Sequence, residues 1–408
     1  MSPFSLRIAS KSYNHALMNM RGVKPIPANT SKLSAWLWDF SGAFADIGVL
    51  FPLAIPLIAK NGFNPTSLFL SAGLFYIVSA YYFRITMPVQ PLKAMAAIAI
   101  ASGIGVGTIH AAGCVMGALL ITLALTGLSV KLGALFPTSV IRGIQLGLGM
   151  ILIRTSWGLI TGDIQIAMLA LALLGLAYFV RKAVPPLIPV LALGLVLSIQ
   201  RVHVGAFGPV AFLPALPSPA DFWTGFVVLV IPQIALTFGN AIVATEATAK
   251  ILYGASAARL NLRSIPLSMG IANIATGLLG GVPMCHGSGG LTAHAKFGAK
   301  SERSGYIIGA FLIIVALLFG ESALNVISAF PIGILGVLLM SVGVLHATLI
   351  RDIIPTDWPA GWFPLMIALV TAVTGVASQN LSIGFVAGIA LHTVGHLWKR
   401  AKQPLRNV

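Results

Sequence analysis

The chain has 408 residues, of which 57% are hydrophobic and 8% charged, with a mean hydropathy of +0.95. Soluble domains carry roughly a quarter charged residues, so a soluble globular fold is excluded and the chain reads as an all-α polytopic membrane protein whose core is the bilayer-embedded bundle. A net charge of +16 would suggest nucleic acid in a soluble protein, but here the basic residues fall in alternate loops, so nucleic acid is not an expected partner. The two cysteines, Cys114 and Cys285, sit in apolar or cavity-like surroundings and make no disulfide framework.

In chain order, residues 1–33 hold five Lys/Arg and no acid. They read as a cytoplasmic basic tail rather than a transit-type segment, and no secretory signal pattern is present. Residues 34–200 form a first set of seven apolar segments, at about 34–59, 65–83, 85–103, 108–128, 138–159, 163–181 and 186–200. The stretch 201–220, rich in Pro, Gly and Ala, reads as a connector. Residues 221–398 form a second set, at about 221–249, 264–280, 281–299, 304–324, 330–348, 359–377 and 380–398, and 399–408 is a second cytoplasmic tail. An odd number of segments per half makes the second half enter the membrane with opposite orientation, which is a 7+7 inverted repeat with about 14 transmembrane segments. Loop charge supports this independently: Lys131, Arg181, Lys182, Arg259, Arg263, Lys300, Arg303 and Arg351 all fall on the side of the two tails, whereas the other side holds little beyond Lys60 and Arg201. Both termini are therefore expected in the cytoplasm.

The third segment of each half is broken. Gly280-Gly281-Val282-Pro283-Met284-Cys285-His286-Gly287-Ser288-Gly289-Gly290-Leu291-Thr292 lies between apolar segments but cannot be an ordinary span. Non-helical backbone at membrane depth is tolerated only where protein or a water-filled cavity surrounds it. A short helix beginning near Gly287 would point unpartnered N–H groups and the positive end of its dipole into that cavity, which suits an anion. Thr86-Met87-Pro88-Val89-Gln90-Pro91-Leu92-Lys93 has the same layout, with Lys93 on the first turn of its helix. Paired half-helices of this kind mark a transporter binding site.

Charges inside the apolar segments are few: Asp39, Asp46, Lys93, Arg142 and Glu246, with Arg154 and Glu321 near segment ends. Each costs roughly 3 kcal/mol or more at the bilayer centre unless it faces a cavity or a partner. Lys93 suits anion contact, although pairing with Asp46 is the alternative. Gly287, Ser288 and Gly289 allow close backbone approach to a ligand and add one hydroxyl, the alternative being close helix packing by small residues. His286 can donate to an anion; with Cys285 alone beside it, a metal site is not expected. Asp39 and Asp46, seven residues apart on one helical face, and Glu246 are candidate proton carriers or ion-pair partners. Gln233, Thr237 and Asn240 share a face of the eighth segment and read as lining a path.

Three motifs resemble the molybdate-transporter branch of the sulfate-permease (SulP) superfamily over nearly the whole membrane length. They are Gly42-Ala43-Phe44-Ala45-Asp46-Ile47-Gly48, Met87-Pro88-Val89-Gln90-Pro91-Leu92-Lys93 and Pro283-Met284-Cys285-His286-Gly287-Ser288-Gly289-Gly290-Leu291; Pro232-Gln233 with Thr237 and Asn240 is a weaker fourth. The resemblance implies a core domain moving against a gate domain, with the substrate held between the third and tenth helix ends. It also implies molybdate uptake, with Gln90, Lys93, His286, Gly287, Ser288 and Gly289 as site candidates and Asp46 as the family-matched acid. Glu246 lies outside the pattern. Sulfate permeases carry a cytoplasmic regulatory domain after the last helix, which is not expected here.

The expected function is secondary active import of an oxyanion, molybdate before any other, bound between the two opposed half-helix amino ends, with Asn240 joining the site. Moving a dianion inward against 100 mV costs about 4.6 kcal/mol, so a co-transported cation, the proton above all, is expected. Rival readings are a sulfate or other anion transporter on the same fold, a channel-like anion pathway and a nucleobase carrier; the last would want a carboxylate where His286-Gly287-Ser288 stands. No hydrolase motif is present, so no enzyme activity is expected, nor any cofactor. Expected partners are molybdate, tungstate or sulfate, protons, the lipid bilayer of a plasma or inner membrane, and a second copy of the chain as a homodimer.

Overall fold

The computed structural model describes residues 32–129, 137–180, 187–202, 208–211, 217–296, 298–299, 301–354 and 362–401. Most of the basic tail, Lys131, Arg181, Lys182, Lys300 and half of the connector 201–220 lie outside the described residues. The first half holds α1 (Lys32–Ala43), α2 (Ile47–Ala59), α3 (Pro65–Phe83), β1 (Gln90–Pro91), α4 (Lys93–Ser102), α5 (Val106–Leu125), α6 (Thr138–Gly162), α7 (Ile164–Val180) and α8 (Leu187–Arg201). The second holds α9 (Pro219–Ala257), α10 (Ser264–Leu278), β2 (Met284–Cys285), α11 (Ser288–Lys296), α12 (Arg303–Ser328), α13 (Ile332–Thr348), α14 (Trp362–Ala377) and α15 (Leu381–Ala401). The fold is mostly helical. Among the described residues six helices are long and apolar enough to cross a membrane, α3, α5, α6, α9, α12 and α13, and further apolar helices are shorter.

Local chemistry explains most of the boundaries. Asn64 accepts from the Ser67 N–H at 3.0 Å and Pro65 opens α3, while Arg84 closes that helix in the left-handed region at φ 59°. Gly103, at φ 64°, closes α4. Between α1 and α2 the chain tightens into a 3₁₀ turn over Phe44–Asp46. Asp39 and Asp46 lie on either side of this tightening and take different partners, Ser301 for the first and Tyr76 with Gln90 for the second. α9 widens into π turns over Gly225–Val230 and Thr237–Ala244, the kind of irregularity that collects at functional sites. Pro52 and Pro56 lie inside α2, where membrane helices tolerate them because packed neighbours satisfy the freed carbonyls.

Helix pairing follows a swap between halves. α3, second in its half, packs along α12, fourth in the other, and α5, fourth, packs along α10, second; α6 and α13, both fifth, pack on each other. A two-fold relation between halves requires this pattern. Each of the three crossings is made at a reciprocal glycine pair. A Cβ on Gly73 would meet the Gly309 carbonyl at 2.7 Å and one on Gly309 the Gly73 carbonyl at 2.8 Å; for Gly117 and Gly270 the distances are 2.8 and 2.9 Å, and for Gly149 and Gly343 they are 2.6 and 3.0 Å. With lipid outside, helix association depends on such close backbone approach rather than on hydrophobic burial. The buried core centres on α2, whose Leu50, Leu53, Ile55 and Leu57 are inaccessible, and on α4. Large apolar side chains such as Phe179 and Trp223 face outward at 86% and 70% exposure, as suits a lipid-facing surface.

These seams generate a stability prediction. Gly117→Val forces its new carbons into the Gly270 carbonyl and Ile274, and overpacking of this kind costs about 1–3 kcal/mol. The variant should show a clearly lowered melting temperature in detergent, while the valine substitution at Gly158, where a Cβ meets nothing within 4 Å, should leave it within a few degrees.

Candidate functional site

Prolines 88, 91 and 283 keep the chain out of regular helix on both sides of the site, and the two extended pieces satisfy each other. β1 and β2 pair antiparallel, Gln90 with Cys285 and Pro91 with Met284. The ladder continues through Leu92 N–H to the Pro283 carbonyl at 2.9 Å, and Asn273 Oδ1 accepts from Met284 N–H at 2.7 Å. An antiparallel ladder of two residues is only about 7 Å long. α4 and α11 therefore leave the ladder from its opposite ends, and the Lys93 side chain reaches back toward the start of α11.

A small cavity of about 10 Å³, room for about one water, opens beside these starts, lined by Lys93, Gln145, Gln233, Leu236, Asn240, Ala241, Cys285 and His346. Lys93 is half-buried, and among the described residues its ammonium has neither an ion-pair nor a hydrogen-bond partner. Gly287 faces it closely. A Cβ there would lie 3.2 Å from Lys93 Nζ, 3.6 Å from Gln90 Oε1 and 3.7 Å from Asn240 Nδ2. Ser288 Oγ donates to Asn240 Oδ1 at 2.8 Å, which leaves the Asn240 amide nitrogen for the space in front of Gly287. At the start of α11 the N–H groups of Ser288, Gly289 and Gly290 have no intrahelical acceptor, and Gly289 is open enough that a Cβ would touch nothing. Lys93, Gly287, Ser288, Gly289 and Asn240 thus come together, and all present donors or positive charge.

The two helix starts are not equivalent. Gln233 Oε1 accepts from Ala94 N–H at 2.8 Å and Met95 N–H at 3.2 Å, while its Nε2 donates to Thr237 Oγ1 at 3.1 Å. Two of the first amide donors of α4 are taken by a side chain from α9. Of the N–H groups expected to be open at both helix starts, those of Ala94 and Met95 in α4 are already taken by Gln233.

Behind this layer, Asp46 is fully buried and accepts short hydrogen bonds from Tyr76 OH and Gln90 Nε2, with His294 Nε2 at 3.6 Å from its Oδ2. His294 Nδ1 in turn meets Thr86 Oγ1 at 2.6 Å. Asp46 is thus engaged by Gln90 and not by Lys93. Gln90 Oε1 is buried with no partner among the described residues.

The other candidates stand elsewhere. His286 does not border the cavity. Its Nδ1 lies 2.9 Å from the Pro88 carbonyl and its Nε2 3.2 Å from Ser268 Oγ, with the ring against Phe75 and Phe83. Both nitrogens are committed to bracing the two broken segments, so the imidazole has none left for an anion. Asp39 accepts from Ser301 N–H at 3.1 Å and Ser301 Oγ at 2.6 Å, tying α1 to the entry of α12. Glu246 is paired with Lys250 at 2.6 Å, one turn on. Neither acid touches the cavity.

Sequence reasoning missed Gln145 and His346, which enter the cavity from α6 and α13. Their signal was present: a histidine inside an apolar span, and a glutamine one turn from the intramembrane Arg142. Tyr76 and His294 were also missed, and nothing in their spacing singles them out.

A family model described as "Molybdate transporter of MFS superfamily" matches residues 39–152 and 225–345, more than half of the chain. A molybdate transporter of Arabidopsis thaliana, its molybdate transporter 2, is 29% identical over 87% of this chain and 86% of its own length. Among solved structures, the transmembrane domain of a cyanobacterial bicarbonate transporter, BicA, superposes with a TM-score of 0.63 at 20% identity, covering 89% of this chain and 98% of that one. SLC26A9 superposes with a TM-score of 0.65 at 13% identity, covering 89% and 65% respectively. These two share the fold. The chain is an integral membrane transporter rather than an enzyme, and it belongs to the molybdate transporter family.

Proposed function

We propose that the chain is a secondary active transporter that imports a tetrahedral oxyanion, molybdate, bound between Lys93 and the amino end of α11. The observation that carries this reading is the position of the Lys93 ammonium. It has no ion-pair partner among the described residues and faces Gly287 at the open end of α11. A buried dianion needs donors and charge to offset its lost hydration. Here Lys93 supplies one full charge, the α11 dipole a partial one, and Gly287, Ser288, Gly289 and Asn240 the close-approach donors. The two halves, 34–200 and 221–398, would each contribute one of the helix starts, with both termini cytoplasmic and transport by a rocking or elevator-like motion.

Proton coupling runs through Asp46. As a carboxylate it accepts from Gln90 Nε2, which leaves the Gln90 carbonyl as the unpaired end, an acceptor on the side of the incoming anion. A proton on Asp46 makes the acid a donor to that same carbonyl. The Gln90 amide can then turn over and offer its NH2 group to the substrate. Tyr76 and His294 touch Asp46, and Cys285 and His286 lie within its field. Asp39 and Glu246 take structural pairings in this scheme.

Isotope-labelled molybdate uptake into proteoliposomes, with and without an inward-acid pH gradient and with excess sulfate as competitor, tests the assignment. Saturable uptake that tungstate suppresses more strongly than sulfate is expected. Lys93→Ala should lower kcat/KM at least tenfold while the protein still elutes as a folded particle; unchanged uptake would remove Lys93 from the site. Asp46→Asn, which cannot change its charge, should retain binding in detergent but lose the stimulation by the pH gradient. Full stimulation in that variant would assign coupling to another group.

A further inference from the structure

The far wall of the cavity carries donors that no part of the scheme above uses. Gln145 on α6 is buried at 2% exposure and lines the cavity. Its Oε1 accepts from Arg142 Nη1 at 2.7 Å, and Arg142 Nη2 is held by Asp352 Oδ2 at 2.6 Å. With the carbonyl end taken by a guanidinium, the end of Gln145 left for the cavity is its NH2 group, which can only donate. Beside it His346 on α13, at 6% exposure, has its Nδ1 buried without a partner among the described residues. A buried polar nitrogen left unpaired is costly, and here it belongs to a ring bordering the space that Lys93 also borders. No carboxylate lines this cavity.

We propose that Gln145 and His346 are substrate-contacting residues that donate to the oxyanion's outward oxygens, and that they select a tetrahedral dianion over a planar one. The inference rests on the reading of the cavity as an oxyanion site. A tetrahedral anion whose inner oxygens meet the α11 amides and Lys93 still directs oxygen toward α6 and α13. A planar anion lying against the α11 end leaves that wall unpaired, and the unmatched donors penalise it. Arg142 is a positioning residue in this arrangement. It does not touch the anion but holds the Gln145 amide with its donor outward.

Isothermal titration of the full chain in detergent with sodium molybdate, with nitrate as planar competitor, tests the proposal. Gln145→Glu keeps the size and the Arg142 contact but turns an acceptor oxygen to the cavity, so molybdate Kd should rise at least thirtyfold. Gln145→Leu and His346→Leu should each raise it about tenfold and let nitrate compete, whereas His346→Gln, which restores a donor, should recover most of the affinity. Arg142→Gln should reproduce the Gln145→Leu shift, and the double variant should lose no more than either alone, since non-additivity marks a shared route. Chromatography and melting temperature establish folding, and should Gln145→Glu misfold, the two leucine variants decide. Wild-type Kd in the Gln145 and His346 variants, with Lys93→Ala defective, would overturn this inference and leave the oxyanion site standing. Wild-type Kd in Lys93→Ala as well would overturn both.

Discussion

The two-residue ladder between β1 and β2 is the contact on which the site depends. Prolines 88, 91 and 283 strip two segments of helix at a depth where exposed backbone is not tolerated, and pairing Gln90 with Cys285 and Pro91 with Met284 returns hydrogen bonds to both at once. His286 reinforces the arrangement by spanning from the Pro88 carbonyl to Ser268, and Asn273 caps Met284 N–H. Because the ladder is so short, it fixes the distance between two helix starts more tightly than loops could. Lys93 and Gly287 face each other as a consequence.

That closeness creates an electrostatic problem: two helix amino ends and a lysine would repel one another in the empty site. The chain resolves it unequally. Gln233, reaching in from α9, occupies the Ala94 and Met95 amides of α4 with its carbonyl oxygen, so α11 keeps most of the open donors. Asp46 lies one layer back, held by Tyr76 and Gln90 rather than by Lys93, and supplies negative charge without neutralising the ammonium by contact. A site symmetric in backbone is thereby made asymmetric in chemistry. One half gives charge and the other gives backbone donors.

The sequence made much of this legible, for reasons that can be named. The broken segments stand out because proline and glycine clusters cannot span a membrane as helix, and Lys93, Gly287, Ser288 and Asn240 stand out because polar atoms at such positions are costly. His286, in the middle of a recognisable motif, was assigned to the ligand because a motif states that a residue is needed but not toward which neighbour it turns. Asp39 and Asp46 were grouped by helical spacing, which says nothing of their partners, and those differ: Ser301 for Asp39, Tyr76 and Gln90 for Asp46. Gln145 and His346 were missed because, although each is a polar residue in an apolar span, only the folded chain shows that they border one space. The Arg142–Gln145 bond is local, one turn apart on α6, but the cavity that gathers Gln145 with His346 joins two distant helices, which no local pattern encodes.

The glycine seams add the last step. Gly73 with Gly309 and Gly117 with Gly270 bind α3 to α12 and α5 to α10, around the ladder, whereas Gly149 with Gly343 binds α6 to α13 on the opposite wall. Backbones in such close contact cannot slide without clashing, so each set is stiff within itself. Across the cavity the contact is through side chains, with Lys93 and Asn240 on one side and Gln145 and His346 on the other. Relative movement of the two sets would carry the α11 end together with Lys93 and leave the α6 and α13 donors behind, so an anion held by both walls resists that movement and one held by a single wall does not. On the proposed reading of this cavity, the strength of the far-wall contacts would set both which anion binds and how readily the loaded site moves.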